Sequence, residues 1–305
     1  MSHQHGTVVV GVDFSHESER AAEWAAALAD RRGIGLHLLH AEPVRQVLSA
    51  AAAWALPADD LRRLEDAATT GLARLAARLT AAHPPLPVTT RVCDGYPVDA
   101  LLQAGRDGTV LVVGSTGRSA LARVLVGSVG QHVAQQARCP VVVVRGRGVV
   151  RRGPVVVGVD GSPSAEEAVA FAVEEAALRR VPLRVVQAWQ PHEAYQYGAW
   201  AVVGPSAQDL EQAARTSLEQ ALTGWQEKHP EVEVERVVQA GHPAEALLTA
   251  ASCAQLLVVG SHGRHGLSRV LLGSVSAAAV QHADCPVAVV RPVREAAPSR
   301  PPGSP

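Results

Sequence analysis

The sequence predicts an α/β protein built from two doubly wound domains in tandem, each with a five-stranded parallel sheet. Three observations carry that prediction. The first is internal repetition: VVVGVDFS at 8–15 returns as VVVGVDGS at 155–162, an offset of 147. LVVGSTGRSALARVLVGSV at 111–129 returns as LVVGSHGRHGLSRVLLGSV at 257–275, and RCPVVVVR at 138–145 as DCPVAVVR at 284–291, both at 146. So long a period means a duplicated domain, not a solenoid repeat. The second is alternation of Val-rich runs with helical patterns, the order of βαβ units. The third is that the Val-rich runs are continuously apolar, as strands buried on both faces are.

In the first copy the elements follow in order. A strand at 8–12 leads to a helix at about 18–31 carrying Ala22, Trp24, Ala25 and Leu28. A strand at 35–41, a long helix near 61–82 and a strand near 88–92 come next. A helix near 97–105, a strand at 110–113, a helix at 129–137 and a strand at 141–144 complete the copy. The second copy repeats the series. This gives domains at 7–146 and 154–293, a linker at 147–153 rich in Arg and Gly, and disordered ends at 1–6 and 294–305. No aromatic residues interleave the linker's charges, so it reads as a solvated connector.

Composition narrows the function. The 305 residues are 47% hydrophobic but only 3% aromatic, so Val, Leu and Ala must fill the cores. A formal net charge of -1 gives no electrostatic case for a nucleic-acid or membrane partner. No apolar run reaches the roughly 20 residues of a membrane helix. The opening MSHQHG lacks the charged and apolar regions of a signal peptide. Cys93, Cys139, Cys253 and Cys285 form no CxxC pair, which fits reduced thiols and a cytoplasmic location. Cys139 and Cys285, each before Pro and a strand, read as small buried hydrophobes. Trp24 and Phe171, at equivalent helix positions, read as core.

In doubly wound sheets ligands lie beyond the carboxyl ends of the strands, where strand order reverses. After strand four, copy one reads Gly114-Ser115-Thr116-Gly117, nine residues, then Gly127-Ser128. Copy two reads Gly260-Ser261-His262-Gly263, nine residues, then Gly273-Ser274. Glycines let main-chain N–H groups approach an anion, and the second Gly-Ser opens a helix whose free amides and dipole favour one. Ser128 and Ser274 are expected to cap those helices and to offer hydroxyls to phosphate. After strand one, Gly11 and Gly158 leave room for a ring or sugar. Asp13 and Asp160 fit two readings, contact with an adenosine moiety or a cap for the next helix. Arg118, Arg264, Arg123 and Arg269 fit phosphate neutralisation or surface ion pairing. His262 and His265 fit phosphate contact, a metal or solvent exposure, and are the only candidates near the phosphates for a water-activating base.

VVGVDxS, GSxGR after strand four, LLGSV and CPVxVV together resemble the universal stress protein family over about 95% of the chain. The resemblance implies a Rossmann-like, adenine nucleotide alpha hydrolase-like fold in each domain. It also implies ATP as the ligand of both, with or without Mg2+, because both copies match the GxxG, nine residues, G[ST] pattern of the family's ATP-binding class. It carries nucleotide contacts onto Gly11, Asp13, residues Gly114, Ser115, Thr116, Gly117, Arg118, Ser119 and Ala120, and Gly127, Ser128 and Val129. In copy two it carries them onto Gly158, Asp160, Gly260, Ser261, His262, Gly263, Arg264, His265 and Gly266, and onto Gly273, Ser274, Val275 and Ser276. Ala41 and Ala188 would border the adenine. Copy one departs from the Gly-rich form at Ser119 and Ala120.

Other chemistries lack their motifs. There is no GxxxxGK[ST], no GxGxxG after strand one, no adenylate-forming loop and no GxSxG elbow. The expected role is a nucleotide-dependent stress-response switch; a slow ATPase or phosphotransferase and a scaffold with vestigial pockets are the alternatives. The last strands, PVVVVR and PVAVVR, should lie at sheet edges and pair the two copies about a pseudo-two-fold axis, with a homodimer as a further option. No protein partner is identifiable.

Overall fold

The computed structural model describes residues 6–43, 58–106, 108, 110–116, 127–145, 153–190, 206–263 and 272–292. The first half runs β1 (Thr7–Gly11), α1 (His16–Arg32), β2 (Gly35–Glu42), α2 (Ala58–Ala82), β3 (Val88–Asp94), α3 (Pro97–Ala104), β4 (Val110–Gly114), α4 (Ser128–Gln136) and β5 (Val141–Val144). The second runs β6 (Val155–Gly158), α5 (Pro163–Arg179), β7 (Leu183–Trp189), α6 (Ala207–Leu222), a single turn α7 (Trp225–Lys228), β8 (Val234–Ala240), α8 (Pro243–Ala250), β9 (Leu256–Gly260), α9 (Ser274–His282) and β10 (Val287–Val290).

The ten strands form one sheet in the order β3-β2-β1-β4-β5-β10-β9-β6-β7-β8. Strands within each half are parallel, as continuous apolar runs require, and only β5 and β10 run antiparallel. Val142 faces Ala288, its own counterpart at the repeat offset of 146, so a pseudo-two-fold axis passes between them. Alternate strand residues feed two apolar layers. One gathers Val8, Val10, Leu36, Leu38 and Val157 with α1, α2, α5 and α6. The other gathers Val9, Leu111, Val143 and Val287 with α3, α4, α8 and α9.

Helix ends follow local chemistry. Ser15 accepts from the Ser18 N–H and starts α1, two residues before the apolar periodicity begins. Gly33, at φ 64, closes that helix in the left-handed region. Ser162 caps α5, with Pro163 in its first turn. Trp24 and Phe171 are both buried.

Across the pseudo-axis α1 meets α5. Glu175, fully buried, stands where the first copy has Leu28. Arg32 of the first half donates to its Oε1 (3.0 and 2.8 Å), and Arg179 to its Oε2 (3.1 and 2.8 Å). Arg32 also lies over the Phe171 ring and Arg179 over Trp24, each guanidinium on the other half's aromatic. Burial pushes the Glu175 carboxyl up, but the charges and hydrogen bonds of Arg179 and Arg32 outweigh it and hold it below the ordinary carboxylate range. Its stabilisation is therefore present above the ordinary value and lost as pH falls through the depressed one.

Two outcomes follow from this packing. Glu175→Ala leaves two arginines facing a buried gap and should cost about 3–5 kcal/mol in denaturant unfolding at pH 7. A loss below about 1 kcal/mol would remove Glu175 as a tie between the halves. Burial pushes the thiols of Cys139 and Cys285 up to about 11 and about 12, while Cys253 is exposed. A thiol reagent at pH 8 should modify Cys253 within the folded protein and reach Cys285 only on unfolding.

Candidate functional site

Strand order reverses between β1 and β4 in the first half and between β6 and β9 in the second, so the crevices open beyond Gly11 and Gly114, and beyond Gly158 and Gly260. The glycines there serve packing more directly than expected. A Cβ on Gly11 would stand 3.1 Å from Leu101, and one on Gly158 2.8 Å from Leu247. A leucine side chain of α3 or α8 thus packs where a Cβ would stand. A Cβ on Gly114 would meet the Glu17 backbone at 3.0 Å, and one on Gly260 the Ser164 backbone at 2.8 Å. These two glycines let the first turn of α1 or α5 seat against the strand end.

The helix-cap reading of Asp13 and Asp160 is corrected, since Ser15 and Ser162 are the caps. The aspartates hold the caps instead. Asp13 Oδ1 accepts from the Ser15 N–H (3.0 Å) and hydroxyl (2.5 Å), and Asp160 Oδ1 from the Ser162 N–H (3.0 Å). The other Asp160 oxygen lies 2.7 Å from where a Cβ on Gly263 would sit, so the first and fourth strand loops touch there.

The capping role of Ser128 and Ser274 is also corrected. Gly127 and Gly273 are the N-caps, and neither helix has a side-chain cap. A glycine cap brings no oxygen to the first-turn amides, which leaves that end of the helix to whatever anion or water approaches. The entrance is fixed by main-chain bonds. Gly127 N–H donates to Ser115 O (2.6 Å) and Ser115 N–H to Val144 O (3.0 Å). Gly273 N–H donates to Ser261 O (2.8 Å) and Ser261 N–H to Val290 O (2.8 Å). Val129 and Val275 are partly buried and pack against the apolar layer. Ser276 is buried and donates to Gly260 O (2.5 Å), so its hydroxyl serves the scaffold.

In the second half these parts surround a cleft of about 420 Å³. Gly158, Asp160, Ala188, Gly260, His262, Gly263, Gly273, Ser274, Val275 and Ser276 all line it. Ser162 and Ser164 hydroxyls lie 3.4 and 2.5 Å from His262 O and hold the loop on α5. His262 Nδ1 lies 3.0 Å from the Ser261 hydroxyl, while its Nε2 is buried with no hydrogen-bond partner among the described residues. Gln187 Oε1, near the end of β7, is another buried atom with no hydrogen-bond partner among the described residues, whereas the equivalent His40 Nε2 in β2 lies 3.4 Å from Glu42 Oε1. A buried polar atom left without a hydrogen bond costs about 1–3 kcal/mol, and His262 Nε2 and Gln187 Oε1 both stand near strand ends of the second half. Gln187 also lines the cleft.

The first half differs. Ala41 is half-buried, and beside it His40 binds Val12 O through Nδ1 (2.7 Å) and lies 3.4 Å from Glu42. Phe14, at φ 60 where the second copy has Gly161, packs against His40 in a tilted arrangement, with ring centroids 4.8 Å apart and planes at 39°. His40, Gln187 and Phe14 were missed in the sequence. The available signal was a polar residue at the same repeat position of both strands, His40 in GLHLLHAE and Gln187 in LRVVQAW, although His37 and Arg184 form a second such pair. Thr116 is half-buried two residues after β4. Gly117, Arg118, Ser119, Ala120 and Arg123 lie outside the described residues, as do Arg264, His265, Gly266 and Arg269. Among the described residues no group of three or more His, Cys, Asp or Glu is placed to hold a metal. No described helix is long and apolar enough to cross a membrane.

Comparison with known proteins extends this picture. The family model described as universal stress protein family matches residues 5–145 and again 152–291. A universal stress protein of Mycobacterium tuberculosis is 39% identical over 302 residues, covering 94% of this chain and 97% of that protein. One from Mycolicibacterium smegmatis is 37% identical over 292 residues, covering 93% and 97%. In three dimensions the chain is similar to the crystal structure of a universal stress protein from Archaeoglobus fulgidus. The TM-score is 0.66 at 18% identity, over 95% of this chain and 97% of that one.

The glycine geometry separates scaffold from site. Gly260→Ala forces a Cβ against Ser164 backbone and should destabilise the protein by about 1–3 kcal/mol without ligand. A Cβ on Gly273 meets its nearest neighbour at 3.4 Å, ordinary contact, so Gly273→Ala should cost less than about 1 kcal/mol. Equal losses in urea unfolding would contradict this division.

Proposed function

The chain belongs to the universal stress protein family, and on that premise we propose that each half binds ATP and that occupancy, not catalysis, is the output. The two binding units are taken as residues 7–146 and 154–293. The observation that carries the reading is the pair of uncapped helix entrances, Gly127-Ser128 and Gly273-Ser274, each tied to the loop after a central strand. Such an entrance suits a polyphosphate. In the second half it opens on a cleft large enough for a nucleotide, with the small residue Ala188 at the end of β7 and His262 Nε2 unpartnered nearby. The neutral tautomer with a proton on Nε2 suits a phosphate oxygen, since Nδ1 then accepts from Ser261. Four free thiols suit a reducing, cytoplasmic setting.

A ligand shifts a conformational equilibrium only by its differential affinity for the two states. The switch reading therefore requires that ATP change the arrangement of the loops at the entrance. A slow phosphohydrolase is the second reading, favoured by His262 alone. Turnover of repurified protein that disappears in His262→Ala would select it.

The binding claim is tested by thermal unfolding. ATP at about 100 times its Kd should stabilise the chain by about 2.7 kcal/mol for each site occupied. Ser128→Glu and Ser274→Glu each place a carboxylate at one entrance, where it favours the helix but opposes phosphate. Each should remove part of the ATP-dependent rise in Tm, and the double variant all of it. A full rise in the double variant would refute binding at these entrances.

A further inference from the structure

The helices that open the two phosphate entrances are gripped at their far ends by arginines from the opposite half. Arg291, just past β10, donates to the carbonyls of Ala134 (3.2 Å) and Gln135 in the last turn of α4. Arg145, just past β5, donates to the carbonyl of Val280 in the last turn of α9. Arg145 and Arg291 are equivalent at the offset of 146, and so are Ala134 and Val280. The arrangement is reciprocal, and it crosses the pseudo-two-fold axis in both directions.

We propose that Arg145 and Arg291 are positioning residues acting in trans, each setting the phosphate affinity of the other half's site. The inference rests on the nucleotide reading above and adds a route between the two sites. The carbonyls involved belong to the last turn of each helix, where no further N–H of the helix is available to them. The helix dipole places partial negative charge there and partial positive charge at the entrance. Each helix is 9 residues long, about 13 Å from end to end. A guanidinium on the last turn cancels the negative end, whose field opposes an anion at the entrance, and anchors the helix axis. The same arginine starts from a strand end already joined to its own half's loop, through Val144 O to Ser115 or Val290 O to Ser261. Those joints are main chain and survive loss of the side chain. Truncation should therefore be felt across the axis and not at home.

ATP and adenosine affinities are measured by calorimetry in two single-site backgrounds, Ser128→Glu leaving the second site and Ser274→Glu the first. Arg145→Met should weaken ATP at the second site about two- to tenfold and leave the first unchanged. Arg291→Met should do the reverse. Adenosine, which carries no phosphate, should bind equally before and after. Arg145→Lys keeps the charge and should restore most of the ATP affinity. Loss in the arginine's own half, equal loss in both, or equal loss for adenosine and ATP would overturn the proposal. Failure of the nucleotide reading would show separately, as parent single-site chains that bind no ATP before any arginine is changed, and the proposal would fall with it.

Discussion

Two strands of four residues, Val141–Val144 and Val287–Val290, set the geometry on which the rest of the protein depends. Each is the last strand of its own half and would otherwise leave a bare row of amides and carbonyls. Their antiparallel pairing converts two sheets into one of ten strands and buries all eight residues. It also decides which side chains meet across the axis. On one face, α1 and α5 trap Glu175 between Arg32 and Arg179. Along the same seam, Arg145 and Arg291 reach the far ends of α9 and α4.

The candidate sites inherit their order from that frame. β4 and β9 end in glycines because the first turns of α1 and α5 press against them. That contact leaves the following loop free to fold back on the helix entrance, through Ser115 to Gly127 and Ser261 to Gly273. The pattern of glycines thus has two causes. Gly114 and Gly260 make the packing possible, whereas Gly127 and Gly273 leave helix ends without a side-chain cap. Only the second pair speaks directly to anion binding. The halves also diverge: the rings of Phe14 and His40 pack together where the second half has Gly161 and Gln187.

The doubly wound architecture was legible because its signals are local and doubled. Continuous valine runs specify buried parallel strands, and the repeat offset supplies a second reading of every element. Boundaries shifted by one to three residues where caps, not apolar periodicity, decide them, as at Ser15 for α1 and Gly127 for α4. The candidate site was legible as loops but not as atoms. Gly158, Asp160 and Ser274, singled out by motif and spacing, and Ala188, implied by the family resemblance, all line one cleft. Sequence spacing could not reveal that Leu247 fills the space beside Gly158, nor that Asp160 braces Ser162, because both depend on side chains brought together from distant elements. The arginine grips across the axis were invisible for the same reason. They exist only once β5 and β10 have paired.

The central claim is that each uncapped helix entrance holds the phosphates of an adenine nucleotide. It is tested most directly by denaturing protein saturated with ATP, after rapid removal of free ligand, and counting the bases released per chain. The account predicts two adenine nucleotides per chain, and no guanine or pyrimidine nucleotides when all are offered together. Release of none, with ATP also failing to bind at millimolar concentration, would contradict it.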